Sequence, residues 1–178
     1  DFLQKLRPNS FLDIYNATAF YRPGPSDSIP LYLNRRDGKE KVNYPDKSLE
    51  DILKSTYGII VYQEQIMMIA VKMASFSLGE ADIVRRAMSK KKHDVMENER
   101  EIFINGLRDE NGNTIIEGAV KRGLTRETAN DIFQDMTSFA SYGFNKSHTA
   151  AYGLVAYRTA YLKAKYPTVA FIDYIHSI

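Results

Sequence analysis

The chain contains no cysteine, which excludes disulfides and thiolate metal sites and leaves a reducing compartment unproblematic. No apolar run approaches the ~18–20 residues that a membrane-spanning helix needs. No signal peptide opens it, and its first residue is Asp1 rather than Met, so the expectation is a piece excised from a longer protein. The three histidines show no metal-ligand spacing, no Ser/His/Asp set is evident, and no Asp-x-Asp pair occurs anywhere. Metal and hydrolase chemistry are therefore not expected from these residues. A net charge of +2 is too small to imply a polyanion partner by itself, so what matters is how the basic residues are distributed.

What is present is an ordinary globular composition: 178 residues, 44% hydrophobic and 26% charged, enough for one domain or one domain with a small appendage. The periodicity is mostly helical, which predicts a mainly α, irregular fold with at most a short strand or hairpin. No internal repeat or low-complexity linker divides it. Ser10 is the expected N-cap of a helix running to about Phe20, and Arg22-Pro23-Gly24-Pro25 ends that helix. A short helix is allowed around 29–36, and Ser48 is expected to cap another with Leu49, Ile52 and Leu53 inward. The run Gly58–Tyr62 reads as a short strand or an extended entry.

Further helices are predicted over 63–75, 78–88 and about 93–106, the second opened by a capping box from Ser77 and Glu80. Asp109-Glu110-Asn111-Gly112-Asn113 signals a hairpin or exposed loop. Short helices are expected over 115–122 and 126–141. A long helix should cover about 147–166, stop before Pro167, and be followed by a tail helix to 178.

Two clusters carry candidate chemistry. Between Val84 and His93 stand five cations and no carboxylate: Arg85, Arg86, Lys90, Lys91 and Lys92. One reading is structural, since cations at a helix C-terminus complement the macrodipole and Asp82 lies at i,i+4 from Arg86. The other is functional. Uncompensated like charges call for an anion, and a triphosphate or a DNA backbone would satisfy the arginine forks and lysine point charges together.

The second cluster, Gly143-Phe144-Asn145-Lys146-Ser147-His148, enters the last long helix, where a helix N-terminus attracts anions. Tyr152 and Arg158 follow it among small residues that would let a flat ring or sugar approach. A plain N-cap before an amphipathic helix is the alternative. Tyr62-Gln63-Glu64-Gln65 reads as a structural hydrogen-bond knot, and the Met67, Met68 and Met73 group as core filler.

Four stretches, FYRPGP at 20–25, TYGIIVYQEQIMMIA at 56–70, FSLGEADIVRRAMSKKK at 76–92 and FASYGFNKSHTAAYGLVAYRTAYLKAKYP at 139–167, follow one another with consistent spacing. Together they resemble the fingers domain of the bacterial C-family replicative DNA polymerase, the polymerase III alpha subunit in its DnaE-type form. The resemblance covers nearly the whole chain. It departs at Ser26, at Ser89 where glycine is usual, and in a longer loop around 111–117.

The resemblance implies one fingers unit over 1–178, with an N-terminal helix and RPGP region over 1–47 and a helical body over 48–178. It implies that Arg85 and Arg86 contact the triphosphate of an incoming dNTP, with Lys90, Lys91 and Lys92 in support. Asn145, Lys146, Ser147 and His148 would then lie by the nascent base pair or the phosphates, with Tyr152 and Arg158 behind them. Implied partners are primer–template DNA, the palm and thumb of the same polymerase, and the sliding clamp and other replisome subunits through the parent protein, in the cytoplasm. Mg2+ would be held by paired aspartates outside this chain, so the chain alone should be inactive. Competing readings are a helical interaction domain docking an acidic replisome partner, and a stand-alone DNA-binding helical domain, for which no recognition-helix signature appears.

Overall fold

Ser10 takes up the extended conformation of an N-cap and its Oγ accepts the Asp13 N–H at 3.2 Å, which starts the first substantial helix. The structure, a computed structural model, describes residues 2–90, 93–169 and 172. Lys91, Lys92 and most of the tail helix expected beyond Pro167 lie outside the described residues.

The order is α1 Phe2–Leu6, α2 Phe11–Phe20, α3 Ile29–Arg36, α4 Glu50–Leu53, α5 Gln63–Ala74, α6 Leu78–Ser89 and α7 His93–Asn105. The hairpin β1 Leu107–Arg108 and β2 Thr114–Ile116 follows, then α8 Arg126–Ala140 and α9 Lys146–Lys165. The mainly α expectation with one small hairpin is met. Ser77 and Glu80 form the predicted capping box of α6.

Two predictions fail locally. Asp46 caps the 3-10 turn Lys47–Leu49 that leads into α4, its carboxylate accepting the Ser48 N–H at 2.8 Å, so Ser48 is the capped residue rather than the cap. No helix forms over 115–122. Thr114–Ile116 pairs antiparallel with β1, and the loop beyond donates Ala119 N–H to Phe103 O and Val120 N–H to Ile104 O. The last turn of α7 has carbonyls without helical partners, and these outcompete a short helix of its own. The hairpin turn is held by Asp109, whose Oδ1 accepts from the backbone of Asn111 and Asn113.

The apolar side chains form two clusters. The larger holds Ile66, Ile69, Met73, Val84, Met88, Phe103, Ile132, Phe133 and Met136 from α5 to α8. The smaller holds Leu6, Phe20, Tyr32, Ile59, Val61 and Tyr62 around α1 to α3. The extended run joins them, because successive residues point to opposite sides. Ile60 enters the larger cluster while Ile59 and Val61 enter the smaller. This run builds no sheet; its single bridge pairs Tyr62 with Phe144 in parallel.

Helix α9 packs along α2 through Gly153, where a Cβ would lie 3.0 Å from the Tyr15 Cβ. Only Thr149 and Gly153 of α9 are buried, so the amphipathic helix of the alternative reading does not form: Val155 is 60% exposed, and Tyr157, Tyr161 and Leu162 also face solvent. Among the described residues no helix is long and apolar enough to cross a membrane.

Candidate functional site

The junction between α8 and α9 gathers the motif segments. Phe144 N–H donates to Val61 O at 2.9 Å and Gln63 N–H to Phe144 O at 3.0 Å. The Gln63 side-chain amide donates to Gly143 O at 3.0 Å. Ser89, at the end of α6, donates its hydroxyl to Ala140 O at 2.9 Å, which carries the C-terminal end of α6 to the same junction. The RPGP turn arrives from the other side. Gly24 has φ 95°, and a Cβ there would lie 2.6 Å from Cδ1 of Tyr142, so only glycine allows the ring to lie flat on the turn.

A ladder of rings and cations runs from this turn into α9. The Arg22 guanidinium lies 4.5 Å from the Phe144 ring centroid, a cation–π distance. Phe144 meets His148 edge-on at 5.3 Å, and His148 stacks on Tyr152 at 4.4 Å. Asn145 is the N-cap, accepting the His148 N–H at 2.8 Å. The Lys146 ammonium stands 5.8 Å from the Tyr62 ring centroid. Asn145, Lys146, Ser147, His148 and Tyr152 are all exposed at this helix start.

The structure thus brings five of the expected site residues together. Arg158 does not join them: it lies ten residues beyond His148, about 15 Å along the helix axis, and is exposed.

The basic run is arranged differently from a cluster of uncompensated charges. Asp82 pairs with Arg85 and with Arg86, both at 2.7 Å, so the i,i+4 pair expected for Arg86 forms and a second i,i+3 pair joins it. The Arg85 hydrogen bond, reinforced by Arg86, holds the Asp82 carboxyl below its ordinary pKa. Arg85 is largely covered, at 16% side-chain exposure, whereas Arg86 is 66% exposed. Lys90 is exposed just past Ser89. Among the described residues no hydrogen bond or salt bridge joins Arg85 or Arg86 to residues 145–148.

The helix N-terminus expected to await an anion already has one: both carboxylate oxygens of Glu64 lie 3.1 Å from the Lys146 N–H. Reading Tyr62–Gln65 as a structural knot is therefore half the picture. Gln65 is structural, its Oε1 accepting from Val61 and Tyr62 N–H and its amide donating to Thr56 and Ile52. Gln63 and Glu64 instead grip the entry to α9. Arg22, Phe144, Gln63 and Glu64 are not among the site residues expected from the sequence, although each lies in a segment that the sequence marks: the RPGP turn, the YQEQ run and the cluster that opens α9. Among the described residues no group of three or more His, Asp or Glu side chains is arranged to hold a metal ion.

Fold and site together define a mainly helical unit whose cations and stacked rings converge on one helix junction. The chain belongs to the bacterial DNA polymerase III alpha subunit finger domain family, whose description matches residues 1–111. Among its relatives, the DNA polymerase III subunit alpha of Halalkalibacterium halodurans is 50% identical over 93% of this chain. The protein of the same name from Bacillus subtilis is 47% identical over 93%, and that of Chlamydia trachomatis serovar D is 50% identical over 94%. The chain spans 14%, 14% and 12% of these curated relatives' own lengths.

Proposed function

We propose that this chain is the fingers module of a DNA-directed DNA polymerase, the part that binds the triphosphate of an incoming dNTP and contacts primer–template during bacterial chromosomal replication. The observation that carries this reading is the meeting of four motif segments, distant in sequence, at the α8–α9 junction: Arg22, Val61–Glu64, Ser89 and Gly143–Lys146. On this reading Arg86, the more exposed of the two arginines paired with Asp82, exchanges that carboxylate for phosphate oxygens, with Arg85 and the charges of Lys90, Lys91 and Lys92 adding field. Lys146, Ser147 and His148 face the substrate from α9, with Tyr152 holding the imidazole plane.

In phosphoryl transfer such a module works by aligning the substrate and neutralising charge as it develops. The Mg2+ ions belong, on this reading, to carboxylates elsewhere in the parent protein, as do contacts with the palm, thumb, sliding clamp and other replisome subunits. The test is R85A/R86A in the full-length protein. Nucleotide KM should rise and incorporation slow while primer–template affinity is largely kept; unchanged nucleotide kinetics would overturn the assignment.

A further inference from the structure

Glu64 puts a negative charge where the binding of a polyanion would call for none. Its carboxylate caps the Lys146 N–H with both oxygens, next to the three bonds by which Gln63 and Val61 hold Gly143 and Phe144. Asn145 occupies the His148 N–H. Among the described residues the Ser147 N–H is then the first-turn donor left without a protein partner. An anion reaching this helix end finds the Lys146 amide taken, with the Ser147 amide and the Lys146 ammonium still to offer.

We propose that Glu64 is a positioning residue, which rests on the nucleotide-site reading above: through the Lys146 amide it sets the register and tilt at which α9 presents Lys146, Ser147 and His148, and it touches no substrate itself. Two effects compete. The carboxylate repels a triphosphate, but across solvent-exposed space where counterions screen it. Its bonds to the exposed Lys146 amide are charge-assisted and fixed in direction, they come from a residue that is itself half-buried, and they lie at the positive end of a 20-residue helix, where a carboxylate is favoured. The second effect dominates, so losing the carboxylate costs more alignment than the relieved repulsion returns.

The test uses the full-length protein with E64A and E64Q, measuring dNTP KM and kcat, primer–template Kd and Tm. E64A should raise KM about tenfold, the loss expected for one charged hydrogen-bond pair, with primer–template Kd changed less than about twofold. E64Q, which keeps the shape and one acceptor, should recover part of that loss. KM unchanged or lowered in both variants, in a protein where H148A raises it, overturns the role of Glu64 and leaves the site reading standing. If K146A and H148A also leave KM unchanged, the site reading falls and takes the inference with it. A KM rise matched by equal losses in DNA affinity and Tm assigns Glu64 to general folding and overturns the proposal. Should E64A fail to fold, E64Q decides alone: raised KM at unaltered Tm supports the proposal, and unaltered KM overturns it.

Discussion

Asn16 is fully buried and spends its whole side chain on three partners. Its amide donates to the Tyr32 hydroxyl at 3.1 Å and to Ser55 O at 2.8 Å, while its Oδ1 accepts from the Tyr62 hydroxyl at 2.7 Å. Replacing it with leucine, of similar volume, orphans two phenols and a carbonyl and should lower stability by about 2–4 kcal/mol in denaturant unfolding. Y62F removes one donor and should cost about 1–2 kcal/mol. Burial pushes both the Tyr32 and Tyr62 hydroxyls well above the ordinary tyrosine value. A raised folded-state pKa gives stability that is complete below the unfolded value and is lost as pH rises past it. Stability should therefore fall once pH exceeds about 10, and Y62F should weaken that alkaline limb. A stability–pH series on both proteins checks the sign.

Among the elements, α6 and α9 are held in different ways. Asp82 clamps both arginines of α6, and its depressed pKa means that this contribution is present at neutral pH and lost as pH falls through the lowered value. D82N should therefore flatten the acid side of the stability profile and leave Arg85 and Arg86 without their partner. Helix α9 lies along α2, with Gly153 against Tyr15 and Phe11 and with Tyr157 edge-on to Phe11. G153L should push the two helices apart, speeding amide exchange throughout α9 while the β1–β2 hairpin keeps its protection. Unchanged exchange in α9 would show that the Gln63 and Glu64 contacts suffice to hold it.

At the scale of the whole molecule, Phe103 sits between Phe76 and Phe133 at ring separations of 6.4 Å and 5.6 Å in the larger cluster. F103A should cost about 3–5 kcal/mol. Ile59, Ile60, Val61 and the shared Phe139 bind the two clusters together, so the loss should appear as one cooperative shift in midpoint rather than as separate melting of two halves. By itself the purified chain should give no primer extension, and measurable extension would refute the proposed location of the catalytic carboxylates outside it.

Local rules were enough for α2, α5, α6, α8 and α9, because a capping serine, an Asx cap or a proline stop acts within one helical turn and needs no distant partner. The same rules misread 115–122, where the decisive hydrogen bonds lead to the end of α7. The candidate residues on the first two turns of α9 were legible because they are contiguous in the chain. Pairing was not. That Asp82 neutralises two arginines, that Arg22 reaches Phe144, and that Glu64 meets the Lys146 amide from 82 positions away depends on how helices pack. The sequence by itself determined the helices that carry their own caps and stops, and the charges they bear. Only the tertiary structure decided which charges are left facing outward, because electrostatic and hydrogen-bond partners are set by distances of a few ångströms that chain order does not encode.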